Sequence, residues 1–577
     1  MKKAILSICL TAFLFVISAQ NKNEILFTVG NDAVTATEFI NTYNKNNSIK
    51  NTTATELREY LELYITFKLK VKDGIDTQID TATNFQRELE SYKNQSAQQY
   101  LVDKEVTDKL VNEAITRAKL MVHASHILIM CALDASPKDS LIAYNKILDI
   151  RKKITSGAMT FPEAAVQFSE DPSARDEVGA NHKIQYGNKG DLGYFTAFDL
   201  IYPFETAAYN TPVGSVSMPV RSQFGYHLVW VQDKRPLVAK INISQILLLD
   251  TAARFGKISP NVQEKLTLIE NALKNGEDFA TLAEKYTEDP VSKANGGKLE
   301  PFYPNRRSGD FIIQCVTLEK NQISKPFPSV IGWHIIKLNE LTMYEVKDDD
   351  LKYNMISKVQ RDSRSTKSVG SLIEKLKKEY HYSEKGKSEA INTLLKTLSS
   401  ETKMPPATEL LAIAGLEKLK PVANYANKTI SVKEFIGYLE RFQDIDINQT
   451  KTFLNTQFDN FIKENMLQYE FDNLENKYPE HKKLIEEYHH GMILFEMNNE
   501  KVWSESLKDS VRIEEFYEKI KNNYLDAAGN PKPLLEIRSA VITEYQNALE
   551  NDWLNQLKKR YPVWINEELF ESILKNK

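Results

Sequence analysis

Val122-His123-Ala124-Ser125-His126-Ile127-Leu128-Ile129-Met130 opens a series of motifs that this chain of 577 residues writes twice. After it come Ser169-Glu170-Asp171-Pro172, Gly190-Asp191-Leu192-Gly193 and Phe224-Gly225-Tyr226-His227. The second series reads Ser244-Gln245-Ile246-Leu247, Thr287-Glu288-Asp289-Pro290, Gly297-Lys298-Leu299-Glu300 and Ile331-Gly332-Trp333-His334. Phe204 to His227 is 23 residues, and so is Phe311 to His334. Asp171 to His227 is 56 and Asp289 to His334 is 45, a difference met by an 11-residue insert before Gly190. Fixed order and spacing over such a length mean two copies of one folding unit.

Each copy alternates strands and helices. Val122 to Met130 reads as a strand, and Ser140 to Ile154 as an amphipathic helix stopped by Gly157. Phe161 to Phe168 gives a shorter helix. Leu228 to Val231 alternates poorly, as expected of a strand buried on both faces. Beyond Pro236 the order returns: a strand from Ile243 to Leu249, a helix through Leu273 stopped by Gly276, a helix from Phe279 to Tyr286, and a strand from Ile335 to Leu338.

The first series resembles the parvulin family of peptidyl-prolyl cis-trans isomerases. The residues that carry the likeness are the Ser-His of the leading strand, the Ser-x-Asp after an amphipathic helix, Gly-Asp-Leu-Gly, Pro203-Phe204-Glu205 and the closing Gly-x-His. It covers residues 121–236 and, with fewer motifs, 239–343. The implied fold class is α+β: two small parvulin-like domains, each a central antiparallel or mixed sheet with surrounding helices, flanked by largely α-helical regions. The resemblance assigns His126 and His227 to a paired-histidine network, Asp171 to a place beside the twisting amide, and Ser222 to a hydroxyl near the histidines. Leu192, Phe195, Leu200 and Phe204 match the apolar pocket for the proline ring. Asp199 stands where the family often has Gln, which unsettles one substrate backbone contact. No cofactor is implied.

No metal is expected either. His123 and His126, three apart on a strand, face opposite sides. His182 and the His489-His490 pair lack companions at ligand spacing. No Ser or Cys has motif support as a hydrolytic nucleophile. In the second copy Gln245 stands at the His126 position and Arg307 at the Leu200 position, while Asp289, Phe311 and His334 remain. A guanidinium is a poor lining for a proline pocket if buried alone. This copy therefore reads as catalytically degenerate, with structure or extended-peptide binding as its remaining role.

The chain opens Met1-Lys2-Lys3, runs apolar from Ala4 to Ile17 and reaches Ser18-Ala19-Gln20, the grammar of a secretory signal peptide over 1–19. Cleavage after Ala19 would leave 72 basic and 78 acidic residues, net −6, with nothing to suggest nucleic-acid binding. Cys131 and Cys315 would remain, as two buried thiols or a disulfide, with the first favoured. Residues 20–120 read as a helical N-terminal region and 344–577 as a helical C-terminal one. Thr35-Ala36-Thr37-Glu38 and Ser431-Val432-Lys433-Glu434 are capping boxes that follow similar turns. Both segments resemble the unit that opens SurA-like periplasmic chaperones. Phe85 to Ala118 is long, polar on one side and free of Pro and Gly; it reads as helices packing on one another or as an arm whose apolar stripe helps hold clients.

Two functions fit. One is an exported, periplasmic prolyl isomerase and folding chaperone, whose partners are unfolded or extended proline-containing polypeptides, with outer-membrane protein precursors as the clients that family precedent implies. The other is a non-catalytic holdase. The sequence leaves the oligomeric state open.

Overall fold

The computed structural model describes residues 24–45, 49, 52–133, 135–178, 184–345, 348–413, 415–447, 450–508 and 510–575. The segment 1–19 expected as a signal peptide, with Cys9, and His182 lie outside the described residues. The chain forms two compact units: residues 99–471, and a second built from 1–98 with 472–577.

In the unit of 99–471 the leading strand, Leu120–Met130, sits between Asp191–Phe195 and the closing strand Gly225–Pro236, with Val220–Arg221 at the outer edge. All pairings are antiparallel. The closing strand is thus internal, which explains its unbroken apolar run. The helices Pro137–Thr155 and Phe161–Phe168 bury Ile147, Ile150, Phe161 and Ala164 against Ile127, Ile129 and Leu228 on one face of the sheet. Ser136 and Thr160 cap them, and Thr160 with Glu163 completes a capping box. The 11-residue insert carries a two-residue-strand hairpin, Glu177–Val178 with Ile184–Gln185.

The second copy pairs Val238–Leu249 with Gly332–Met343 and adds Phe327–Pro328. Its register repeats the first: Leu128 faces His227, and Leu247 faces His334. The loop contacts repeat too. Glu170 N donates to Leu128 O and Glu288 N to Leu247 O, both at 2.8 Å. Gly190 and Gly297 adopt positive φ, and a Cβ at either would lie about 2.5 Å from the carbonyl oxygen of His126 or Gln245 (2.5 and 2.4 Å), so the motif requires glycine.

The stretch from Phe85 to Ala118 is two helices, Thr83–Ala97 and Lys104–Ala118. It breaks because Asp103 caps the second: its carboxylate accepts from Glu105 N and from the Ser371 hydroxyl at 2.6 Å, and meets Lys375 at 3.0 Å. Further along, the hairpin Ala423–Tyr425 with Lys428–Ile430 leads into the helix Val432–Leu439 through a complete Ser431/Glu434 capping box.

The other unit has the same strand-turn-strand-helix opening, Ile25–Val29, Asp32–Thr35 and Ala36–Tyr43. Here the expected capping box is one-sided. Thr35 accepts from Glu38 N, but the Glu38 carboxylate turns to the Tyr64 hydroxyl and Lys68 instead. Tyr561-Pro562-Val563, which reads as a break in the last helix, begins a strand: Val563–Ile565 pairs with Ile25–Val29. Among the described residues no helix is long and apolar enough to cross a membrane.

Candidate functional site

Four segments deliver the polar side chains of the first copy to one place. The leading strand carries His126, and the closing strand carries His227 on its neighbour. Asp171 caps the short turn Pro172–Ala174, where its Oδ1 accepts from Ser173 N at 2.9 Å. Its Oδ2 lies 3.0 Å from His126 Nε2, though off the line of a well-aligned hydrogen bond. Ser222 Oγ and His227 Nε2 are paired at 2.7 Å. The two imidazoles lie nearly parallel, 18° apart, with centroids 5.8 Å apart. Neither Nδ1 has a hydrogen-bond partner among the described residues, although both are buried.

Phe204 closes the site, its ring edge-on to both imidazoles at 5.8 and 5.5 Å. Phe195 lies 6.3 Å from Phe204, and Leu192 and Leu200 pack half-buried on the same cluster. All eight residues named from the sequence therefore converge. Asp199 is exposed and accepts from Thr196 N at 2.8 Å, so its carboxylate is spent on the loop itself. A cavity of about 630 Å³ lies beside this pocket at the seam between the copies, sharing Phe195 and Asp199 with it; the histidines are not part of its lining.

Electrostatics divide the roles. The contact with His126, followed by the Ser173 bonds, holds the Asp171 carboxyl well below the usual carboxylate range against the opposing cost of its burial. Burial, with repulsion from His126, pushes His227 down to about 4, so it is neutral near pH 7. The site thus offers a fixed anion, neutral imidazole and an apolar wall.

The second copy is wired differently. Ser329 Oγ pairs with His334 Nε2 at 2.8 Å, His334 Nδ1 reaches Gln245 Oε1 at 3.3 Å, and Gln245 Nε2 donates to Asp289 at 3.0 Å. Ser292 also donates to Asp289. This chain is unbroken. Arg307 is exposed instead of buried: its guanidinium spreads over Phe302 and Phe311 at 5.4 and 5.6 Å and covers the aromatic floor. The expected objection to a buried cation therefore gives way to a steric one.

Sequence reading missed two groups. His123 Nε2 is bonded to Asp191 Oδ1 at 2.8 Å, and Asp310 of the second copy brings all three donor sets within 4.8 Å. These could hold a metal, but the imidazole is engaged by Asp191. Desolvation by the surrounding protein and the Asp191 charge push the Asp310 carboxyl up, although the residue is exposed. The second group surrounds Glu205, whose place one residue after Phe204 was the available signal.

Comparisons with known proteins fit this geometry. Residues 109–235 match the PPIC-type PPIase domain, and so do residues 248–340. The chain carries two PPIC-type parvulin domains. Among relatives, the chain is 28% identical to a chaperone SurA of Methylococcus capsulatus over 222 residues, 37% of this chain and 45% of that one. A chaperone SurA of Hahella chejuensis is 28% identical over 253 residues, 42% and 55% of the two chains. The chain spans about half the length of the curated relatives it matches. Among solved structures, the peptidylprolyl isomerase PrsA of Bacillus anthracis is 26% identical, covering 24% of this chain and 60% of that one, with a TM-score of 0.17. The parvulin NmPin of Nitrosopumilus maritimus is 31% identical, covering 20% and 96%, with a TM-score of 0.15.

Proposed function

We propose that the first PPIC-type domain isomerises X–Pro peptide bonds, and that the whole chain is an exported folding chaperone for unfolded or extended proline-containing polypeptides. The peptide C–N bond resists rotation by about 18–20 kcal/mol because electron density moves from nitrogen to the carbonyl oxygen. An anion held near that oxygen disfavours the charge it carries in the planar amide. The twisted, unconjugated amide gains by comparison, and each 1.4 kcal/mol or so is about tenfold in rate. Asp171 is that anion. Phe204, Phe195, Leu192 and Leu200 grip the proline ring and exclude water. His126, His227 and Ser222 orient Asp171 and the amide, and no covalent step is needed. The observation that carries this reading is the ionised Asp171 carboxylate fixed between Ser173 and His126, at the rim of an apolar slot.

The second domain, 239–343, is read as degenerate: its polar groups bond one another and Arg307 covers its floor. The signal-like segment 1–19 supports export to the periplasm, and the likeness to SurA chaperones supports outer-membrane precursors as clients. The test is isomerisation of a proline tetrapeptide by the intact chain, beside suppression of aggregation of an unfolded protein. Turnover well above the uncatalysed exchange of tens to hundreds of seconds is expected. Background isomerisation with aggregation suppression intact would leave the holdase reading.

A further inference from the structure

The helix that carries Phe204, Tyr202–Asn210, has two working faces. Phe204 and Ala208 face the slot, with Leu200 and Ile201 beside them. Tyr202 and Glu205 face away, toward the helices Lys104–Ala118 and Asp348–Arg361. Glu205 is completely buried there. Its Oε1 accepts from Arg117 Nη1 at 2.9 Å and Arg364 Nη1 at 3.3 Å. Its Oε2 accepts from Arg364 Nη2 at 2.9 Å and from Phe198 N at 2.8 Å. Arg117 lies on Lys104–Ala118, before the first domain's sheet. Arg364 follows the helix Asp348–Arg361, after the second domain. Both guanidiniums are buried, and Asp362 takes the remaining Arg364 Nε proton at 2.7 Å.

The loop between Phe195 and this helix is held by the same group. Phe198 adopts φ +71°, a conformation costly for a bulky residue, on the order of 1–2 kcal/mol. Two contacts hold it: its N–H bonds Glu205, and the Arg364 guanidinium lies 3.8 Å from its ring. Leu200 sits two residues on. Removing one arginine would leave Glu205 buried and under-compensated, the costly way to break such a pair.

We propose that Arg364 and Arg117, acting through Glu205, are positioning residues that set the width of the proline slot, Arg364 doing so from beyond both PPIC-type domains. This rests on the isomerase reading above. It makes grip on the proline ring depend on flanking helices that an excised 119–237 fragment lacks.

The test uses the intact chain with Arg364→Met, which keeps an apolar stack on Phe198, and Arg364→Lys, which keeps the charge. In Arg364→Met, amide hydrogen exchange across 196–205 is expected to quicken tenfold or more while 127–130 and 226–231 stay unchanged. KM for a proline tetrapeptide should rise fivefold or more with kcat within twofold, and Arg364→Lys should fall between. Unchanged exchange, exchange rising equally in the sheet, or an unmoved KM overturns the proposal. If the wild-type chain shows no isomerisation, the enzymatic reading fails, while local exchange and tetrapeptide affinity by titration still decide the clamp: both must shift in Arg364→Met, and either one unmoved overturns it.

Discussion

Where the first domain carries His126, the second carries Gln245, and the rest of the polar set is nearly the same: Ser222 and Ser329, His227 and His334, Asp171 and Asp289. Glutamine has a donor and an acceptor on one short arm, so it bridges His334 to Asp289 and completes a head-to-tail chain. A rigid ring in that place reaches Asp171 but leaves Nδ1 atoms on both histidines unpaired. The lesson is about where unsatisfied polar groups are kept. Closing a buried network stabilises a domain; leaving it open costs stability and leaves groups free to respond to a substrate.

The largest effect that would break this comparison is at the anion. Asp171→Ala in the intact chain should lower kcat/KM for a proline tetrapeptide about tenfold or more, the scale of losing one fixed electrostatic contact. Next comes the conversion of one domain toward the other. His126→Gln should allow the first domain to close its network as the second does. Its isomerisation should fall severalfold while its thermal midpoint holds or rises; a lower midpoint with activity retained would show that the open network is not a sacrifice of stability for function.

Acid should affect both domains alike. Burial holds His227 and His334 at about 4, below the value of an exposed imidazole. Between these limits the unfolded chain binds the extra protons. Stability is therefore full above about pH 6.5 and falls as pH drops from there toward 4. Chemical denaturation across that window should show the loss, and His334→Asn should reduce it without altering isomerisation. The smallest catalytic effect is at Gln245. Gln245→Ala should leave isomerisation unchanged, yet cost about 1–3 kcal/mol in denaturation because Asp289 and His334 each lose a buried partner.

Local signals made much of this legible. Motif order and the 23-residue spacing locate both domains, and a helix stop and a capping box fall where Gly157 and Ser431 predict. The apolar and polar residues of the slot came from matching motifs, and the structure brings them together. What escaped is non-local. Nothing near Val563 announces that it will pair with Val29, more than 500 residues away. The break between Ala97 and Lys104 has no Pro or Gly to mark it, because Asp103 is fixed by Ser371 and Lys375 from a distant helix. Glu205 reads as an ordinary helical acid until its two arginines arrive from either side of the repeat.

Asp171 and Asp289 can be compared by isomerisation in the intact chain carrying either Asp171→Asn or Asp289→Asn, each neutralising one carboxylate at almost constant shape. The account predicts a loss of about tenfold or more for the first and none for the second. Equal losses from both, or an unchanged rate with Asp171→Asn, would contradict it.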